Sequence, residues 1–318
     1  MSTLITGASG FAGGYLARAC ADGGEAVVGI SRSGEIPEGA GDGLSVDLTD
    51  ESAVRDTVRS VKPDLIYHVA ALSSVGRSWE EPARTTQDNV GGAVNLLEAI
   101  RHEAPSARVV WVSSCEVYGP PAELPVSEDA PLHPANPYAV SKAAAEMLAS
   151  LYADAHGLDI VIARPFSHSG PGQRPIFIFS SLAHQAAQAR LDRVRRVQIV
   201  TGNPDTRRDF TDVRDVVRAY RALAEFGGRG VYNVSSGVSV SAADHVRTLA
   251  ELLAPIEVEH KVDPARVRAH EVMDLRGDNR RLQEATGWQP EIPLRQTMLD
   301  TIEYWERAVS REASRGAA

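Results

Sequence analysis

Short β-branched runs alternate with longer stretches in which apolar positions recur every three or four residues, and the alternation holds through the first half of the chain. "TLIT" at 3–6 predicts a strand and "FAGGYLARACADGG" a helix closed by Gly23 and Gly24. "AVVGIS" at 26–31 predicts a second strand, and "ESAVRDTVRSV" sets Val54, Val58 and Val61 on one helical face. "DLIYHVA", "RVVWVSS" and "DIVIARP" predict further buried strands, separated by the helical stretches "NVGGAVNLLEAIRHEA" and "SKAAAEMLASLYADAHG". Strands and helices in such alternation require right-handed crossovers and build a doubly wound parallel sheet with helices on both faces. Ligands of these α/β sheets bind beyond the carboxyl ends of the strands.

The rhythm changes after Pro165. "SHSGPGQRPIF" is rich in Gly and Pro and predicts a long functional loop, followed by a helix, the strand "RVQIV" and a turn at "TGNPD". "DVRDVVRAYRALAEF" and "VYNVSS" resume the α/β pattern; the remainder carries a helix through Val246, Leu249 and Leu253, a strand and a closing helix. The expected organisation is a sheet domain of residues 1–165 plus about 207–235. A smaller lobe, about 166–206 plus 236–318, covers its cleft.

Composition narrows the class. A net charge of −9 argues against a general nucleic-acid surface, and the basic run "RLDRVRR" reads as a solvated face. Two cysteines, Cys20 and Cys115, exclude a disulfide framework and a multi-cysteine zinc site and suit a reducing cytoplasm. An apolar strand begins almost at the first residue with no basic leader before it, and no apolar run approaches a membrane span. A cytoplasmic protein without metal, membrane or nucleic-acid partner is expected.

"TGASGFAGG" sets Gly7, Gly10 and Gly13 between a strand and a helix. Glycines there allow a tight turn and close backbone approach, and the helix N-terminus favours a pyrophosphate; the alternative is a tight turn with no ligand. An acid at the end of the second strand would bind the 2′-hydroxyl of NAD, and a basic residue the 2′-phosphate of NADP. Here the strand ends with Ser31 and Arg32, which leans toward NADP(H), with NAD(H) as the alternative and Arg32 then pointing to solvent. Asp47 follows the third apolar segment and is placed to hold the adenine edge.

"NPYAVSKAAAEM" carries Tyr138 and Lys142 four residues apart on one helical face. An ammonium beside a phenol stabilises the phenolate, which lets Tyr138 exchange a proton with a sugar hydroxyl or carbonyl. A surface Tyr and Lys on an amphipathic helix is the bland reading. Joined to the glycine pattern and to the serine-rich "VSSCEVYG", the pair is specific, and the chain resembles the extended short-chain dehydrogenase/reductase (NAD-dependent epimerase/dehydratase) family over nearly its whole length. "GPGQ", "RDFTDVRDVVRAY" and "TGWQPEI" most resemble the GDP-4-keto-6-deoxy-D-mannose reductases, neighbours of the GDP-mannose 4,6-dehydratases.

The resemblance implies a Rossmann domain with a substrate-binding lobe, a nucleotide-diphosphate sugar as substrate with a GDP-sugar favoured, and a homodimer paired through the helices around 89–100 and 141–152. It implies that Ser114 completes a trio with Tyr138 and Lys142. It implies cofactor contacts from Phe11, Leu48, Val69, Ala70, Ala71, Asn89 and Phe166, beside Tyr138 and Lys142 themselves. Substrate contacts are implied at Ser73, Ser74, Ser167, Arg208, Arg268 and Glu271. Arg208 resembles the arginine on the substrate diphosphate, which suits a planar, bidentate donor, or else it bridges the lobes. Arg268 and Glu271 map more loosely, because Ala269 and His270 replace the usual pattern between them. The family usually has Asn where this chain has Ser167. His168 reads as a loop-packing residue and His68 as a core histidine.

Glu116 stands where hexose 4,6-dehydratases carry the acid that removes the sugar C5 proton, although the reductases carry acids there too. Cys115 beside it is a departure: a thiol able to supply a proton, as exo-glycal-forming 5,6-dehydratases require, or a small buried group filling space. The readings left open are reduction of a C4 ketone by NADPH, dehydration through Glu116, epimerisation through a transient ketone, and a non-catalytic redox-sensing protein.

Overall fold

A computed structural model of the chain describes residues 1–267 and 272–316. Its strands are β1 (Ser2–Thr6), β2 (Ala26–Ser31), β3 (Asp42–Ser45), β4 (Leu65–His68), β5 (Arg108–Val112), β6 (Asp159–Pro165), β7 (Ser167–Ser169), β8 (Arg196–Thr201), β9 (Arg207–Asp212), β10 (Gly230–Val234), β11 (Ser239–Ser241), β12 (Glu257–Val262) and β13 (Asp274–Leu275). The α-helices are α1 (Phe11–Asp22), α2 (Glu51–Val61), α3 (Val75–Glu80), α4 (Pro82–Thr86), α5 (Gly92–Glu103), α6 (Pro137–His156), α7 (Ile178–Leu191), α8 (Val213–Phe226), α9 (Ala242–Leu253), α10 (Arg280–Thr286) and α11 (Leu294–Gly316).

Seven parallel strands form one sheet in the order β10-β6-β5-β4-β1-β2-β3. Alternate residues face opposite sides, as the strand pleat demands. Leu4, Ile66, Val109 and Trp111 pack on the side of α2, α5 and α6, with Val54, Leu96 and Ala149. Ile5, Tyr67 and Val110 pack on the side of α1 and α8, with Leu16, Val216 and Tyr220. The chain leaves β1 toward β2 on one side and returns to β4 on the other, so the strand order reverses there and a crevice opens beyond the strand ends.

The second half contributes small sheets. β9 lies between β11 and β13 and also pairs with β7; β8 pairs with β12. α7, α9 and α11 close a separate core around Phe179, Leu249, Met298 and Ile302. β9 therefore pairs outside the seven-stranded sheet, while α8 packs on α1 and β10 extends that sheet. Residues 167–169, expected as loop, form a short strand against β9.

Buried polar groups join the two regions. Arg164 reaches the Glu146 carboxylate, the Tyr118 hydroxyl at 2.7 Å and the Glu128 carbonyl at 3.1 Å. The Tyr118 hydroxyl donates to Asn233 Oδ1 at 2.7 Å, and the Asn233 side chain donates to the Val126 and Asp278 carbonyls. Asp215, buried in the first turn of α8, accepts from the Glu291 and Ile292 amides at 3.0 and 2.9 Å, and Trp288 Nε1 donates to its carbonyl. These bonds dock "TGWQPEI" onto "DVRDVV" and satisfy a carboxylate that burial would otherwise penalise.

Candidate active site

The loops after β1 and β4 open onto a cavity of about 800 Å³ at the reversal point. Gly7 has φ +74°, and a Cβ there would lie 2.8 Å from Ala70 Cα. A Cβ on Gly13 would overlap the Gly7 carbonyl oxygen, so α1 sits directly on the turn because no side chain separates them. Gly10 caps α1 without any side-chain bond, and Gly10, Phe11, Ala12 and Gly13 line the cavity. Unpaired first-turn amides at a positive helix end fit the pyrophosphate of a dinucleotide. The cradle also includes Val69, Ala70 and Ala71 after β4 and Leu48 after β3. The Ala70 amide is fixed by the Thr6 hydroxyl at 3.1 Å, which also meets His68 Nδ1 at 2.9 Å. His68 is packed on Trp111, and burial pushes its pKa down to about 3, so it is a neutral core residue.

The strand expected through "VSS" stops at Val112, and Ser113 and Ser114 lead into a 3₁₀ turn at Cys115–Tyr118. Ser114 caps that turn, its hydroxyl accepting from the Glu116 amide at 3.2 Å. α6 begins opposite: Asn136 caps it through the Ala139 amide at 2.8 Å, and Pro137 at the first position is preset for the helix. The same Asn136 side chain donates to Glu116 Oε2 at 2.9 Å. One asparagine thus ties the 3₁₀ turn carrying Ser114, Cys115 and Glu116 to the helix carrying Tyr138 and Lys142, and all five line the cavity.

The electrostatics correct one expectation. Burial raises the Tyr138 phenol above its ordinary range, with the Ser114 hydroxyl acting in the opposite direction. Lys142 Nζ donates to the Val112 carbonyl at 2.6 Å rather than to the phenol, and burial lowers its pKa to about 8. Both side chains are nearly inaccessible, so desolvation outweighs any help from the ammonium. Burial also holds the Cys115 thiol well above the ordinary range, so it carries its proton. The Ser113 hydroxyl, on the same wall, has no partner among the described residues.

At the other end Ser31 turns into the loop, its hydroxyl accepting from the Gly34 amide at 3.1 Å. Arg32 is half exposed; its Nη1 lies 3.2 Å from Asp88 Oδ2, and both line the cavity. The Thr49 amide donates to Asp47 and holds its carboxyl below the usual range. Asn89, buried in a π-helical turn at Gln87–Gly91, accepts from the Leu72 amide at 2.8 Å and donates to the Ser141 hydroxyl at 2.9 Å. It pins the post-β4 loop to α6. Phe166 lines the floor.

On the substrate side Ser73, Ser74, Ser167 and Arg208 all line the cavity, and Ser74 also caps α3. Arg208 makes no ion pair among the described residues; its Nη1 donates to the Arg207 and Val272 carbonyls at 2.8 and 2.7 Å. Arg208 is positioned by its neighbour. The fully buried Asp209 carboxylate accepts from the Ser236, Gly237 and Gly277 amides and the Ser236 hydroxyl. Arg268 and Glu271 lie outside the described residues. His168 stacks parallel on Phe11 with ring centroids 6.2 Å apart, and its Nδ1 meets the Phe166 carbonyl at 3.1 Å. Asp88, Gln173, Ile176, Phe177, Ile178 and Phe210 are also among the lining residues. The sequence did not single out these six, and for Asp88 only its position one turn after Arg84, before Asn89, hinted at a role.

The profile of the GDP-mannose 4,6 dehydratase family matches residues 4–301. The chain is similar to a GDP-6-deoxy-D-mannose reductase of Pseudomonas aeruginosa, at 40% identity over 79% of this chain and 83% of the relative. Its fold is similar to that of RMD from Pseudomonas aeruginosa complexed with NADPH, with a TM-score of 0.84, 34% identity, and 97% and 100% of the two chains covered. It is also similar to TunA, described as an NAD-dependent NDP-hexosamine 5,6-dehydratase involved in tunicamycin biosynthesis, with a TM-score of 0.83, 33% identity, and 96% and 97% covered.

Proposed function

The chain belongs to the GDP-mannose 4,6-dehydratase family, the NAD(P)-dependent nucleotide-sugar branch of the short-chain dehydrogenases/reductases, and on that premise we propose that it reduces the C4 ketone of a GDP-4-keto-6-deoxyhexose. The observation that carries this reading is the convergence of Ser114, Tyr138 and Lys142 on the cavity that also contains the glycine cradle. A reduced nicotinamide bound there supplies hydride to the C4 carbon. Tyr138, a protonated phenol, gives its proton to the C4 oxygen; Ser114 donates a hydrogen bond to that oxygen and orients it; Lys142 places positive charge beside the phenol as it loses the proton. Arg208 is assigned to the diphosphate of the sugar nucleotide, and Arg268 and Glu271 to its nucleoside end. Arg32 at the ribose end and the likeness to an NADPH complex support NADP(H), which a net reductase exchanges at every turnover.

A second reading has support of its own. Glu116 lines the same cavity with its carboxylate oriented by Asn136, next to Cys115, and the fold is similar to that of a 5,6-dehydratase. In dehydration the C4 hydride would pass to the bound oxidised dinucleotide, Glu116 would remove the C5 proton, the protonated Cys115 thiol would give a proton to the C6 hydroxyl so that it leaves as water, and the hydride would return to the sugar. A panel of nucleotide sugars, with and without NADPH, separates the two by product mass: gain of two hydrogens for reduction, loss of one water for dehydration. Glu116→Gln then retains activity within about ten-fold in a reductase and loses roughly 10²–10⁴-fold in a dehydratase. Rapid C5 deuterium exchange in the wild type, stopped by Glu116→Gln, overturns reduction.

Assembly belongs to the same proposal. Val140, Met147 and Leu151 repeat along one face of α6 and stay exposed, the last two at 65% and 59%, with Trp79 exposed on the adjoining α3. Such an apolar stripe marks an interaction face, and we assign it to a homodimer. Light scattering at micromolar concentration should give twice the chain mass, and Leu151→Glu should give the monomer; a monomeric wild type refutes it. The free thiols Cys20 and Cys115 support a reducing, cytoplasmic setting.

A further inference from the structure

The ribose end of the cavity contains more charge than a cation alone. Arg32 Nη1 lies 3.2 Å from Asp88 Oδ2, and both residues line the cavity. Asp47 lines the same end, and Arg32 adds to the Thr49 hydrogen bonds that keep its carboxyl ionised. One guanidinium therefore faces two carboxylates.

The placement is built by the backbone on both sides. The Arg32 carbonyl accepts from the Ser45 hydroxyl at 2.9 Å, and the loop turns at Gly34, φ +72°. Asp88 sits in the π-helical turn Gln87–Gly91, where the wider register brings Asp88 and Asn89 to the cavity together. Arg84 Nε stands 3.9 Å from the same Asp88 oxygen, away from the cavity lining, and its Nη1 is taken by Glu81 at 3.1 Å. As a surface ion pair Arg32–Asp88 adds little to folding; it stands on the cavity wall, where it bears on the charge a ligand meets.

We propose that Asp88 is a specificity-determining residue of the dinucleotide site. By engaging Arg32 it offsets the cation that selects a 2′-phosphate and keeps NAD(H) as a ligand beside NADP(H). The inference rests on the dinucleotide reading of the cavity made above. A 2′-phosphate brings about −1.5 to −2 charges to this end and a 2′-hydroxyl brings none, so Asp88 acts on one cofactor and barely on the other.

The test is direct titration of NADPH and NADH, followed by nicotinamide fluorescence, in the wild type and in Asp88→Asn and Asp88→Ser. Removing one carboxylate a few ångströms from the phosphate should tighten NADPH about ten-fold at low salt and change NADH by less than about three-fold. The shift should shrink toward about 0.5 M salt, where charges beyond the first contact are screened; a steric role would be indifferent to salt. Binding of both dinucleotides with an unchanged ratio in both variants overturns the inference and leaves the dinucleotide reading standing. A wild type that binds neither overturns that reading and the inference with it.

Discussion

Replacing Lys142 by Met should abolish turnover and stabilise the protein. Lys142 is 3% exposed, and among the described residues its ammonium has one hydrogen-bond partner, the Val112 carbonyl at 2.6 Å. Burial lowers its pKa to about 8, with the Glu146 charge one turn along α6 opposing the shift. The unfolded chain holds the lysine proton up to about 10.5 and the folded chain only to about 8, so between these values the unfolded state binds more protons and stability rises with pH. Below about 8 the penalty is complete. It amounts to about 3 kcal/mol at pH 7 and falls to about 2 kcal/mol at pH 9. Methionine keeps the length and removes the charge, at the loss of about 1 kcal/mol for the hydrogen bond to Val112. The variant should therefore exceed the wild type by about 2 kcal/mol at pH 7 and about 1 kcal/mol at pH 9.

Equilibrium unfolding in urea at pH 7, 8 and 9, without added dinucleotide, measures this. The other groups titrating in that range, including Cys20, whose thiol burial raises to about 12, are common to both proteins and cancel in the difference. A variant no more stable than the wild type at pH 7, or a difference that does not narrow toward pH 9, refutes the reasoning. The result expected is a trade of stability for function, with a charge kept in an unfavourable place because the reaction uses it.

Tyr138→Phe should lower turnover by roughly 10²–10⁴-fold while dinucleotide binding stays within a few-fold, since only the proton-carrying hydroxyl is lost; retention of a tenth of the activity would sink the assignment. Arg164→Met should cost about 3–5 kcal/mol in urea unfolding, because Glu146 is left buried and unpaired and Tyr118 and Glu128 lose a donor. A loss below about 1 kcal/mol would mean that water replaces the guanidinium.

Six strands of the seven-stranded sheet were readable because they are short apolar runs rich in β-branched residues and each crossover helix has its own apolar face; the edge strand β3, the exposed "DGLS", was not. The cavity wall was readable for a different reason: Gly7, Gly13 and Tyr138 with Lys142 sit at positions where few other residues serve. The second sheet was not readable, since β7 and β11 have three residues each and β13 two, too few for any period to show. "VSS" continues an apolar run without a break, and only the Ser114 cap bond shows that the strand has ended. The spacing of Tyr138 and Lys142 along α6 put both on the cavity but says nothing about how much water reaches them, and burial raises the phenol instead of lowering it.

Several motif residues that carry the family resemblance lie outside the cavity lining and hold the backbone around it. Asp209 and Asp215 follow Arg208 within one strand and one helical turn, and each is a buried carboxylate occupied by backbone amides from a distant segment. Amide donors of this kind cannot be supplied by a side-chain substitution elsewhere, so the segments around 236, 277 and 291 are placed by the carboxylates, and Arg208 is placed with them. The Arg164–Tyr118–Asn233 chain does the same from the other side, since Tyr118 closes the 3₁₀ turn that begins at Ser114. A buried polar chain of this kind specifies one arrangement only when every member is satisfied. Here the members bond to one another and to backbone carbonyls, and the Asn233 bond to the Asp278 carbonyl ties the sheet to the segment before α10. The wall carrying Tyr138 and the strand carrying Arg208 are therefore each held by buried bonds of the fold itself.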